Sequence, residues 1–188
     1  MKFDYLFTIV FSFIEIILIL AIKGFSYPLL PLFLLLIAFN YISIEDWKTG
    51  FISLNLNIGI CVLAVITAIM SRADIAVIGM NLLCFVLPFI LLDFVFQKFV
   101  NKEKDEDRFL IGGGDIILFA TISFLLSFAN MMVMLFVASL ISIIVSKFIG
   151  KSRVHFAPMI LVGFLVAFLW GEVLLSGLLG LIMNAIYG

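Results

Sequence analysis

Charge is what this chain has least of: only 12% of its 188 residues are Asp, Glu, Lys or Arg. Soluble domains carry about a quarter. With 65% hydrophobic residues and a mean hydropathy of +1.37, no soluble core could enclose the apolar surface, so a soluble globular fold is excluded. Lipid is the solvent for most of the chain. Basic residues are also few, 11 against 12 acidic, for a net charge of −1 and a pI near 5.7. They are scattered and form no aromatic-basic stripe, so nucleic acid is not a partner. Histidine occurs once and cysteine twice. Without further such residues at metal-ligand spacing, neither a metal nor an organic cofactor is expected. Cys61 and Cys84 lie inside apolar runs and read as small packing residues. No cleavable signal is expected either, because the run from about Tyr5 to Ile22 is long enough to span and no small-x-small site follows it.

What the chain does have is a succession of apolar runs. A helix needs roughly 20 apolar residues to cross about 30 Å of hydrocarbon. On that ruler spans fall near 5–22, 28–45, 51–70, 75–97, 116–129, 131–149 and 157–178. The fifth is short, separated from the sixth by the weak break Ser127-Phe128-Ala129-Asn130. The last runs on toward Tyr187, as one long helix or as two broken near Trp170-Gly171-Glu172. The expected fold is an all-α polytopic membrane bundle of seven spans, or eight with that break, forming a single membrane domain over 1–188.

Placing the amino terminus in the cytoplasm puts Lys2, Lys48, Lys98, Lys102, Lys104, Arg108, Lys147, Lys151 and Arg153 on the cytoplasmic side and only Lys23 and Arg72 opposite. Nine against two sets the orientation by the positive-inside rule. The same placement brings two aspartates to one side. Asp46 follows a span in Glu45-Asp46-Trp47-Lys48-Thr49-Gly50, and Asp115 opens one after Gly112-Gly113-Gly114.

Each aspartate has an ordinary reading. Asp115 could cap a helix by accepting its free amides, and Asp46 could be an interfacial charge beside Lys48. Together they suggest more. Two carboxylates brought close do not both ionise easily, so one keeps a proton while the other stays charged. The charged one can take a proton from water and the protonated one can polarise a carbonyl, which is general acid-base proteolysis. Gly112, Gly113 and Gly114 would allow unusual backbone conformations and let a substrate strand approach. Lys48 and Asp93, the latter inside the fourth span, are secondary candidates. The polar segment Gln97–Arg108 reads as a solvated loop whose acidic residues could attract a basic peptide. His155 reads as an interfacial anchor.

At these residues the chain resembles the type IV prepilin peptidase family, a branch of the Gly-x-Gly-Asp membrane aspartyl proteases. Three segments carry the likeness: Asp46-Trp47-Lys48-Thr49-Gly50-Phe51-Ile52, then Gly112-Gly113-Gly114-Asp115-Ile116-Ile117-Leu118, then Phe156-Ala157-Pro158 through Trp170-Gly171. It covers residues 28–171, the expected catalytic region. The resemblance implies that Asp46 and Asp115 are the catalytic pair. It also implies substrates that are prepilin-like proteins, pseudopilins or archaellins, whose short basic leader is cut at the cytoplasmic face of the cell membrane. Ser53 stands where proline is usual and Ile117 where lysine is frequent. Larger members carry an amino-terminal segment with paired cysteines linked to pilin methylation. Here one extra span precedes the catalytic part, so methyltransferase activity is not expected.

Two rivals remain. Presenilin-type proteases share Gly-x-Gly-Asp but place Tyr-Asp and Pro-Ala-Leu where this chain has Glu45-Asp46 and Ala157-Pro158-Met159. A small transporter or pilus-assembly factor would use the intramembrane carboxylates Glu15 and Asp93 as an ion path.

Overall fold

The computed structural model describes residues 2–24, 28–99, 112–149 and 156–187, and those residues contain helices and no strand. In chain order they are α1 (Lys2–Lys23), α2 (Leu29–Thr49), α3 (Leu54–Met70), α4 (Ile75–Asn81), a π-helical turn (Leu82–Val86), α5 (Leu87–Phe99), α6 (Gly113–Ser123), α7 (Phe128–Ile149) and α8 (Ala157–Tyr187). α4, the π turn and α5 run on without a break. The widened turn falls just ahead of Pro88, whose ring removes an amide donor and crowds the carbonyl four residues earlier. Pro31 and Pro158 cause no such disturbance, because they sit in the first turns of α2 and α8, where amides have no helical partner.

Among the described residues, four helices are long and apolar enough to cross a membrane: Leu30–Thr49, Ile75–Phe96, Phe128–Phe148 and Ala157–Gly177. This supports a helical membrane protein but not, by length, the seven or eight spans expected. α3 has 17 residues and α6 only 11. At 1.5 Å per residue α6 covers roughly 16 Å, about half the hydrocarbon thickness. The apolar run 116–129 is longer than its helix because α6 stops at Ser123. Asn81, fully buried at the end of α4, donates from Nδ2 to the carbonyls of Ser123 (3.2 Å) and Leu126 (2.8 Å). A neighbouring side chain thus caps these carbonyls, and no residue near 123 signals it. The last apolar run does not break at Trp170-Gly171-Glu172; α8 is one helix to Tyr187.

Gly171 faces a neighbour instead. Gly163, Ala167 and Gly171 recur every four residues and lie on one face of α8, while Asn130, Met134 and Ala138 have the same spacing on α7. A Cβ on Gly163 would stand 2.6 Å from the Met134 carbonyl oxygen, and one on Gly171 would collide with Asn130 Oδ1. In lipid, where apolar burial drives little association, such close backbone approach supplies the contact. Gly163→Leu is therefore expected to cost about 1–3 kcal/mol through overpacking. A fall in the thermal midpoint of detergent-purified protein would register it, and an unchanged midpoint would contradict it.

α1 packs on α2 through a polar seam. Asn40 Nδ2 lies 2.7 Å from Glu15 Oε2, 3.0 Å from Ser12 Oγ and 3.1 Å from the Leu36 carbonyl. Glu15 is thereby tied to α2 and buried. Around this seam Leu32, Leu35, Leu36, Phe39 and Ile42 of α2 meet Ile19 of α1 and Ile160 and Phe164 of α8 in the core. Outward-facing Ile90, Leu91, Leu92 and Phe94 of α5 offer apolar surface to lipid. Cys61 is half-buried, but Cys84 is exposed, a correction to the reading of both as packing residues. Cys84 lies in the π turn.

Candidate active site

Asp46 sits in the last full turn of α2 and is only 6% exposed, unlike an ordinary interfacial charge. Its carbonyl accepts the Gly50 amide at 2.8 Å, and Gly50 ends the helix at φ +72, a left-handed conformation natural to glycine. The chain then doubles back in a bonded turn. Phe51 N–H donates to Thr49 Oγ1 (3.2 Å), and Ser53 N–H donates to Glu45 Oε2 (3.4 Å). Ser53 has φ −61 and ψ 124, a conformation proline also adopts, so the departure from proline leaves the backbone path open to that residue.

The Asp46 carboxylate meets a second helix. Its Oδ2 accepts the Ala157 N–H at 3.2 Å, at the start of α8. Free amides and the helix dipole make such an end complementary to a negative charge. Three chain segments therefore converge here: the end of α2, the start of α3 and the start of α8.

α6 brings the fourth. Its N-cap is Gly112, with no side-chain cap bond, so Asp115 is not the helix cap that its sequence context allowed. Gly112 has φ −60 and ψ 135, an ordinary extended conformation, and no glycine of the run has positive φ. What these glycines provide is space. A Cβ on Gly112 would stand 3.3 Å from Asp115 Oδ2, so the carboxylate folds back over that position. A Cβ on Gly114 would stand 2.9 Å from Ile52 Cβ and 3.4 Å from Asn57 Nδ2. Gly113 alone has nothing within 4 Å. Of the three, Gly114 is occupied by packing against α3 and its lead-in turn, and Gly113 faces open space. Gly114→Ala is accordingly expected to push the 51–53 turn away and lower activity at least about tenfold, whereas Gly113→Ala stays within about twofold. Equal losses in the two variants would rule out the packing account.

Asp115 stands one residue ahead of the apolar run 116–129 and outside the four long spans. Its pKa is raised to about 7, first by burial and then by the negative charge of Asp46. Its place in the first turn of α6 would favour the anion, but burial and the second carboxylate outweigh that. The structure thus brings Asp46 and Asp115 within electrostatic reach, from positions far apart in sequence.

Lys48 is exposed in the last turn of α2, and Asp93 is half-buried on α5, one turn beyond Phe89. Phe89 stacks on Phe119 of α6 with ring centroids 5.0 Å apart. The acidic part of the polar segment, residues 101–108, and His155 lie outside the described residues. Among the described residues no group of three His, Cys, Asp or Glu side chains gathers as a metal site. Two participants were missed in the sequence: the Ala157 amide and Asn57. The second carried a signal, one of two amides (Asn55 and Asn57) within an apolar run, and such polar residues are expensive in lipid.

With this geometry in place, comparison with known proteins gives one finding. A family model described as the type IV leader peptidase family matches residues 29–146, more than half of the chain. No curated protein and no solved structure matches.

Proposed function

Because this chain belongs to the type IV leader peptidase family, we propose that it is a membrane aspartyl endopeptidase of the Gly-x-Gly-Asp kind, with Asp46 and Asp115 as its catalytic pair. The observation that carries the reading is the mutual electrostatics of the two carboxylates: Asp46 faces the α8 amide, and Asp115 is raised to about 7 by burial and by Asp46. That asymmetry suits a divided task.

Ionised Asp46 takes a proton from water as its oxygen attacks the scissile carbonyl, and Asp115 gives its proton to the carbonyl oxygen. The tetrahedral diol then collapses. Asp46 returns its proton to the departing amine, and Asp115 recovers one from a diol hydroxyl. Both carboxyls end as they began, and no covalent intermediate forms.

The substrates in this reading are prepilin-like membrane proteins cut between a short basic leader and an apolar helix. Seven helices spanning in sequence, with α3 and α6 short, would form a single membrane domain with its catalytic region over 28–171. The amino terminus and the site's mouth would face the cytoplasm at the cell membrane, as the nine-to-two basic bias requires. The acidic residues of 101–108 would meet the basic leader. Glu15 accepts from Asn40 Nδ2, which also donates to Ser12 Oγ, as a helix pin, which favours this reading over an ion path. The test is co-expression with a substrate carrying a basic leader before an apolar helix. A mobility shift with mass-verified leader loss is expected, and intact substrate across a panel of such leaders would sink the proposal.

A further inference from the structure

The first turn of α3 holds Asn57, 0% exposed, and its carboxamide is only half satisfied. Nδ2 donates to the Gly114 carbonyl at 3.1 Å, while Oδ1 is buried with no partner. An unpaired buried acceptor is destabilising, and a leucine of similar volume would avoid that cost. α6 does not need the bond for its own integrity, since a carbonyl inside a helix also accepts the amide four residues on. The bond is lateral, between helices, and it falls on the residue immediately before Asp115. Ile52 stands against the same glycine: at 2.9 Å from a Gly114 Cβ position, it sets the closest approach of α6. Ile52 is a stop and Asn57 a tether.

We propose that Asn57 is a positioning residue for Asp115, holding the first turn of α6 at one setting against the turn that leads out of Asp46. This rests on the reading of Asp46 and Asp115 as the catalytic pair. The covalent and bonded route between the carboxylates is short: Asp46 to Gly50, Ile52 and Asn57 along the chain, then across to Gly114 and Asp115. Asn57 is the polar link that closes it. Among the elements packed on α6, α3 and the π turn carry no charged residue, α8 carries Glu172, and α5, whose Phe89 stacks on Phe119, carries Asp93 and Lys98; the charge that raises Asp115 is that of Asp46 on α2.

The test uses purified full-length protein with Asn57→Leu and Asn57→Asp. For Asn57→Leu we expect a thermal midpoint equal to or above wild type, kcat lower by about tenfold or more, and KM within about twofold. Its alkaline limb should move to lower pH, because an untethered Asp115 drifts from Asp46 and from burial. For Asn57→Asp we expect a loss at pH 8 that recovers as pH falls, because the new carboxyl can donate to the Gly114 carbonyl only when protonated. A wild-type kcat and pH profile in Asn57→Leu would overturn the proposal. So would a lowered midpoint with an unmoved alkaline limb, or failure of that variant to fold, since either marks a purely structural role. If wild type itself cleaves no leader-bearing substrate, the protease reading has failed. The Asp115 carboxyl titration, followed by 13C NMR in wild type and Asn57→Leu, then decides the positioning alone: a lower pKa in the variant supports it and an equal one overturns it.

Discussion

Replacing Asp115 by asparagine, or Asp46 by asparagine, is expected to reduce leader cleavage on the order of 10³-fold or more, since each removes one partner of the proposed acid-base pair. Losses in such pairs are not additive. The double variant should therefore be little worse than either single one. The two variants should part company in stability. Asp115→Asn removes a carboxyl whose ionisation is opposed by burial and by Asp46, so at pH 8 the variant should melt at or above the wild-type temperature. Asp46→Asn removes a negative charge from the start of α8, where the Ala157 amide points at Oδ2. That loss is worth roughly 0.3–1 kcal/mol. A cleavage assay beside thermal melts of the same preparations checks both. Cleavage at wild-type rate by Asp115→Asn would end the catalytic assignment, and so would loss of cleavage that merely tracks unfolding.

The second large effect is on pH. In the proposed roles Asp115 must be protonated to donate to the carbonyl oxygen, and its pKa is raised to about 7. Cleavage should therefore fall by about tenfold per pH unit above pH 7, and the inflection belongs to the pair rather than to one residue. Stability follows the same sign. The folded pKa lies above the ordinary carboxylate value of 3.8, so the protonated form is the one the fold prefers. Its contribution is complete below about pH 4 and is lost as pH rises through about 7. Asp115→Asn should flatten that decline between those values. A kcat that stays level to pH 9, with the protein folded, would show that the acid is another group.

Some of this could be read along the chain. Composition alone excluded a soluble fold, and the apolar runs located every helix among the described residues, because a helix in lipid must be apolar over most of its length wherever it packs. The ends of those runs drew attention to Asp46 and Asp115. The cap reading of Asp115 failed on a one-turn detail, since Gly112 holds the N-cap and Asp115 lies three residues inside. The glycine run was noticed for the right region and partly for the wrong property: its backbone angles are ordinary, and Gly114 is small because Ile52 and Asn57 stand against it.

Cys84 turned outward, α6 stopped at Ser123 and α8 ran through Gly171 for reasons that local sequence does not hold. Asn81 ends α6 from 42 residues away, and Asn130 meets Gly171 across a helix pair. The sequence by itself determined that this chain is helical and lives in lipid, because the cost of exposing apolar side chains and unpaired backbone groups depends on composition and run length. Only the tertiary structure decided which polar groups meet. Ala157 reaches Asp46 across 111 residues, Asn57 reaches Gly114 across 57, and the charge of Asp46 acts on Asp115. Hydrogen bonds and charge coupling depend on distances in space, and helix packing alone sets those distances.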